Sequence, residues 1–403
     1  MPLHLTAAED RMLSGQDGEG VALAMRVVVG QARISGAPRL VEITSAHVDS
    51  CLYHGQVSLD FVHRLVDLGA KVRVPTTLNV GSTDLIHPAL VRDQELAEAG
   101  RELMTAYADL GCAQTFTCAP YQLPNRPALG EHIAWAESNA IVFANSVLGA
   151  RTDRYGDFLD VCAAITARAP YAGLQTPEAR VGTVAFDCRP LGDFLHSELA
   201  YPLLGHHIGS VVGAGIPVLE GIPVDVTEDD LKALGAAAAS AGGVALFHVV
   251  GVTPEAPTSI DGLPVHTVDL KTLQEVRSAL SSNTEELDAV SVGTPHASYD
   301  ECVRLAELVA GPPLQLPFYL STSRATRDRL GDQLQVLQRA GVTVVVDTCT
   351  YVTAILQPTW KRVMTNSGKW AHYAPGNLNV SAVLGSLAEC VASARAGRVV
   401  LDT

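Results

Sequence analysis

RLVEITSAHVDSCLYHGQVSLDFVHRLVDLGAKVRV, residues 39–74, is the stretch that decides the fold class. Residues 40–44 form a short apolar run. Residues 59–68 carry apolar side chains at helical spacing and stop beside Gly69, and residues 71–74 form a second apolar run. Strand, helix and strand in so short a span read as a βαβ unit, and a helical crossover joins parallel strands. The rhythm returns later in the chain. Strands are expected at 244–249, 289–292, 316–320 and 342–346, and helices at 270–280, 298–310, 324–340 and 380–395. These strands are almost purely β-branched or aliphatic, as in parallel sheets covered on both faces. Helices are also expected at 93–110, 131–144 and 157–167. A first helix is expected over 6–30, with Thr6 and Glu9 in capping-box spacing.

The expectation is an α/β protein with mostly parallel sheets. Three parts are predicted: 1–175 and 266–403 as the first and last α/β parts, and 176–265 as an intermediate segment. The breaks are placed near 170–185 and in the proline-bearing stretch 251–264. The 403 residues carry 28 Lys+Arg against 43 Asp+Glu, a net charge of −15. That balance argues against nucleic acid and against an anionic membrane surface, which both attract positive fields. No run of about 18 apolar residues appears. The first residues lack a basic segment followed by an apolar run, so a cytoplasmic location is expected. The eight cysteines form no CxxC pair and are not expected to be disulfide-bonded in a reducing compartment.

The informative polar residues fall just after expected strands, where ligands bind in open α/β sheets. Six segments fit: 45–53, 75–84, 115–121, 248–255, 293–298 and 347–351. Cys349 lies in Asp347-Thr348-Cys349-Thr350, beside hydroxyls and a carboxylate, as an iron ligand would. Cys118 lies in a loop stiffened by Pro120. For both, the alternative is a small core residue. His296, at a strand-to-helix turn, either serves a site or orients its loop. His248 interrupts an apolar strand, and a satisfied core histidine is its alternative. Glu137 and Ser138, with Arg151 a little further on, follow the Cys118 loop on a helix that also carries Trp135 and Phe143. Their alternative is a solvated face. Lys369, in Asn366-Ser367-Gly368-Lys369, is a grip for a carboxylate or phosphate, or else part of a surface turn.

Taken together, six segments resemble the aconitase X family, in that family's order and over nearly the whole chain. They are Pro75-Thr76-Thr77-Leu78-Asn79, Thr117-Cys118-Ala119-Pro120-Tyr121, residues 130–140 (GEHIAWAESNA), Gly293-Thr294-Pro295-His296-Ala297-Ser298, Asp347-Thr348-Cys349 and Asn366-Ser367-Gly368-Lys369. The resemblance implies an aconitase-like catalytic core of several α/β subdomains around an iron centre. It also implies a swivel domain, which a chain of this length is expected to receive from a small partner subunit, as a heterodimer or a dimer of heterodimers. That partner would bring a serine base.

Two activities go with the family: dehydration of cis-3-hydroxy-L-proline to a pyrroline-2-carboxylate, and dehydration of mevalonate 5-phosphate. Residues 47–55 and 78–82 are more similar to the hydroxyproline branch. Thr294 stands where some members carry cysteine, and Cys51 is then the natural third thiolate. The implied centre is a [2Fe–2S] cluster on Cys51, Cys118 and Cys349, or a mononuclear iron with fewer cysteines. It would act as a Lewis acid on the leaving hydroxyl. His296 and His248 are expected to orient that hydroxyl, and Lys369, Arg151 and Ser367 to bind the carboxylate. Ser50, Asn79, Ser82, Glu137 and Ser138 complete the expected pocket. The reading from another class is a non-catalytic binding or scaffold protein on the same fold.

Overall fold

The computed structural model describes residues 2–401. They divide into two compact units. Of the described residues, one comprises 2–83 and 93–181, the other 84–92 and 182–401.

The first unit holds the βαβ element, built one step further along than the apolar runs suggest. Its strands are Ala46–Val48 and Thr76–Leu78, paired in parallel and joined through the helix Gln56–Asp67. Ala134–Trp135 adds in parallel on the other side, so Ala46–Val48 is central. The run at 40–44 contributes only Leu40–Glu42, which pairs antiparallel with Arg168–Pro170, and 71–74 forms no strand. The expected first helix is two helices, Ala7–Leu13 and Glu19–Ile34, parted by a turn containing Gly15 and Gly18 at positive φ. The Thr6–Glu9 capping box is present. Residues 131–144 are not one helix. They give the strand Ala134–Trp135, then the helix Ser138–Phe143, widened into a π turn over Ala144–Leu148.

The second unit carries two parallel sheets. The larger runs Val342–Val345, Phe318–Thr322, Ala289–Ala297, Arg362–Thr365, Ser381–Leu384 across its width. Its core is aliphatic, with Val290, Val292, Leu320, Val344, Met364 and Val383 buried. The chain moves outward from Ala289–Ala297 on one side, then returns to its other flank with Arg362–Thr365. The crevice between those two strands is therefore the topological switch point, where such sheets bind ligands. The smaller sheet runs His248–Val249, Pro217–Glu220, Val184–Asp187, Val265–Thr267.

Ala200–Val212 packs closely against Glu228–Ala241. Gly205 and Gly209 permit the approach, since a Cβ on either would lie 2.1 Å from the Leu234 carbonyl oxygen or 2.4 Å from that of Ala238. The expected helix over 324–340 breaks at Gly331 into Arg324–Arg329 and Asp332–Arg339. The expected closing helix begins as the strand Ser381–Leu384 and turns helical only at Leu387–Ala396. The run 244–249 is strand only at His248–Val249. Among the described residues no helix is long and apolar enough to cross a membrane.

Candidate metal centre and strand-end site

In the second unit the loop after Val342–Val345 is anchored before it reaches Cys349. Asp347 takes a positive φ of 65°, and Arg324 grips its carboxylate with Nε at 2.5 Å and Nη2 at 2.6 Å. The Leu85 amide adds a third donor at 3.1 Å, and the Asp84 carboxylate accepts from the Val346 amide at 3.1 Å. Cys349 follows in a tight turn, its carbonyl accepting from the amides of Val352 and Thr353 at 3.2 Å. Thr350 bonds the Ser291 hydroxyl at 2.7 Å and accepts from the Trp370 indole N–H at 3.0 Å, tying this loop to two neighbouring elements.

His296 stands near the end of Ala289–Ala297 and is fully buried. Its Nε2 lies 3.2 Å from the Thr348 carbonyl oxygen. In the tautomer that donates Nε2–H to that carbonyl, Nδ1 keeps a lone pair for a metal, the usual outer support of a ligating histidine. Gly293 starts the bend toward it at φ +84°, and a Cβ there would lie 2.2 Å from the Ser321 carbonyl oxygen.

Cys118 sits in a clamped loop of the first unit. Asn139 donates from Nδ2 to the Cys118 carbonyl and accepts from the Tyr121 hydroxyl at 2.6 Å. Glu137, at φ 73°, caps the helix Ser138–Phe143, accepting from Asn139 Nδ2 and the Ala140 amide at 2.8 Å each. Ser138 donates its hydroxyl to Glu137 at 3.3 Å.

In the second unit buried His296 and Cys349 each offer one ligand atom, within 4.8 Å of one another. A thiol sulfur and an imidazole nitrogen suit iron or zinc far better than a hard cation. Cys118 and Cys51 are both buried in the first unit. The Cys51 thiol is fully buried and directed at the carbonyls of Val48, Asn79 and Val80, the shortest contact being 3.2 Å to Asn79. Burial, reinforced by the charges of Asp49 and Asp160, pushes its proton affinity well up, so it stays a thiol. Of the three expected thiol ligands, Cys349 stands beside a histidine in the second unit, and Cys51 turns toward backbone carbonyls in the first.

Three of the polar residues expected around the substrate, Ser50, Asn79 and Ser82, lie at strand ends of the first unit. Ser50 shares a hydrogen bond with the Tyr107 hydroxyl at 2.6 Å and donates to Asp160 at 3.0 Å. Asn79 donates from Nδ2 to Asp49. Ser82 accepts from the Tyr53 amide at 2.9 Å. Four groups here were not among the expected site residues, although His47 and Asp49 fall in the segment 45–53: His47, Asp49, Tyr107 and Asp160. Burial pulls the His47 proton affinity down to about 4 despite Glu137 nearby. Burial, then Glu137, raises Asp49 to about 7, and burial raises Asp160 to about 6 against its hydrogen bonds. Asp49 follows directly on an apolar strand, a signal that could have found it. Asp160 sits inside a helix of small apolar residues and gave none.

In the second unit a cavity of about 320 Å³ lies at the switch point, lined by Gly293, Thr294, Asn366, Ser367 and Lys369 among others. Ser367 caps the helix Gly368–Leu378, accepting from the Trp370 amide at 3.0 Å, so Lys369 stands in a first helical turn and not in a loop. Thr294 is buried with its hydroxyl unpartnered. His248 is buried in the smaller sheet beside Val218. The backbone of Arg151 bridges to that of Glu131, its amide donating to that carbonyl at 2.8 Å.

These features define an α/β protein with a buried histidine and cysteine paired at strand ends of its second unit. The residues match the aconitase X first domain over 2–178, the second domain over 182–278 and the third domain over 287–396. The chain belongs to the aconitase X family.

It is 41% identical to a cis-3-hydroxy-L-proline dehydratase of Hypocrea jecorina, covering 98% of this chain and 69% of that protein. It is 40% identical to a protein of the same name from Pseudomonas aeruginosa, covering 98% and 70%. It is 37% identical to a phosphomevalonate dehydratase large subunit of Thermococcus kodakarensis, covering 92% and 95%. The crystal structure of holo aconitase X from Thermococcus kodakaraensis superposes with a TM-score of 0.88 at 34% identity, over 97% of this chain and all of that one.

Proposed function

We propose that this chain is the catalytic large subunit of a hydro-lyase that removes water from cis-3-hydroxy-L-proline, giving a pyrroline-2-carboxylate. The observation that carries this reading is the buried His296 and Cys349 pair in a chain of the aconitase X family. The 41% and 40% identities to hydroxyproline dehydratases support the substrate.

His296 and Cys349 would hold iron, as a mononuclear ion or within a cluster, with Cys118 a further ligand by the family resemblance. Bound there, iron supplies Lewis acidity toward a hydroxyl oxygen. The chain's own residues do the rest of the positioning. Lys369 and the amino end of Gly368–Leu378 offer positive charge to a carboxylate, and charge that develops on a carboxylate during loss of the adjacent proton is stabilised by such groups. The unpartnered Thr294 hydroxyl adds a donor to the same cavity. The proton acceptor is assigned to a small partner subunit, in line with relatives named as large subunits.

A second reading, dehydration of mevalonate 5-phosphate, is favoured by coverage. The match spans 95–99% of three phosphomevalonate dehydratase large subunits but about 70% of the hydroxyproline dehydratases. The anaerobically prepared protein, assayed with its small partner on both substrates, separates the two. Pyrroline-2-carboxylate formation is expected. Turnover of the phosphate ester alone would replace the first reading with the second, and an iron-free protein with full activity would remove the metal from both.

A further inference from the structure

The geometry points to Asp49 and Asn79 as the residues that hold the ring ammonium of an imino-acid substrate. This rests on the hydroxyproline reading and adds how such a substrate is told from an alcohol without nitrogen. Both residues lie just past the carboxyl ends of paired parallel strands, Ala46–Val48 and Thr76–Leu78, with the former central in its sheet. Ligands to such sheets bind at that edge.

The hydrogen bonds of the cluster divide its two aspartates. Asp160 is fully engaged: its oxygens accept from the amides of Asp49 at 2.7 Å, Ser50 at 3.1 Å and Val161 at 2.6 Å, and from the Ser50 hydroxyl. It fixes the backbone that presents Asp49. Among the described residues the Asp49 carboxylate accepts a side-chain hydrogen bond from Asn79 alone. A carboxylate has room for about four donors and an amide oxygen for two.

Asn79 supplies the independent sign of a ligand. It is 2% exposed, and its Oδ1 has no hydrogen-bond partner among the described residues. Flipping the amide would set that oxygen against the Asp49 carboxylate, so the orientation is fixed by charge. What remains is a carboxylate and an amide oxygen side by side, both acceptors and both short of donors. Glu137, Asp157 and Asp160 add negative potential at Asp49. A secondary ammonium brings two N–H donors and a positive charge, which answers each of these deficits. A phosphate brings only acceptors and negative charge and is repelled.

Calorimetric binding to the iron-loaded large subunit with its partner tests this, using L-proline and tetrahydrofuran-2-carboxylate. The two rings match, but the second has an ether oxygen in place of the ammonium. The wild type is expected to prefer L-proline. Asp49→Asn is expected to weaken L-proline at least tenfold while leaving tetrahydrofuran-2-carboxylate within about twofold, and Asn79→Ser to shift the preference in the same direction. Retained binding of the ether ligand shows that the variants are folded. Equal loss of both ligands, or no change in either, overturns the assignment while leaving the hydroxyproline reading intact. A wild type that binds neither ligand and does not turn over hydroxyproline overturns that reading, and this inference with it.

Discussion

Cys349, His296 and Cys51 make separable predictions. Cys349→Ala and His296→Ala are each expected to lower bound iron and activity together, measured as iron per chain and visible absorption. Cys51→Ala is expected to keep iron, because its thiol is held protonated against three carbonyls, and to cost about 1–2 kcal/mol in urea unfolding. Iron loss in Cys51→Ala equal to that in Cys349→Ala would restore it to the ligand set. Asp160 bears on pH. Its proton affinity is raised from 3.8 to about 6, so between those values the folded chain holds a proton that the unfolded chain releases. Its contribution therefore makes stability fall as pH rises from about 4 to 6. Asp49, raised to about 7, acts in the same direction, and His47, lowered to about 4, acts in the opposite one. In denaturation series across that range, Asp160→Asn is expected to remove the downward term whatever its overall stability cost. An unchanged slope would show that Asp160 titrates alike in both states.

At the scale of elements, the strand Ala289–Ala297 decides how the site is presented. It ends against the helix Tyr299–Val309, whose capping box joins Ser298 and Glu301. Lys232 is buried between Asp229 and Glu301, and Ser298 donates to Asp229 at 2.6 Å, so one ionic cluster locks this turn to the helix Glu228–Ala241. Gly293→Ala would need a positive φ and would drive a methyl group into the Ser321 carbonyl. It is expected to cost about 2–4 kcal/mol and to lower iron content by moving His296. Thermal unfolding and iron analysis check both. A variant with unchanged melting and iron would show that the strand yields there.

For the whole molecule, the prediction concerns assembly. The large chain alone is expected to bind iron but turn over slowly, and titration with a small swivel-type subunit is expected to raise kcat to a plateau at equal stoichiometry. Size-exclusion chromatography with activity measurement reads both. Full activity of the isolated chain would place the proton acceptor within it.

The periodicity of residues 39–74 and of the later aliphatic strands was enough for the class of fold, because strands covered on both faces must be continuously apolar. It misplaced individual strands by a few residues. A run such as 71–74 is apolar whether it pairs or packs as a connection, and only neighbours in space choose. Capping chemistry was legible at Thr6 and Ser298 because it is local. Local order also marked Cys349 as lying near a strand end, whereas Cys118, expected at another, sits in a loop that follows the helix Gln94–Asp109. How the Cys51 thiol would turn was beyond local order, since Cys51 also lies close after a strand. The turn of its thiol toward backbone carbonyls, and of His296 toward Cys349, arises from side-chain packing that connects residues far apart in the chain. The charge state of Asp49, His47 and Asp160 was decided in the same way, because burial and neighbours set it and neither can be counted along a chain.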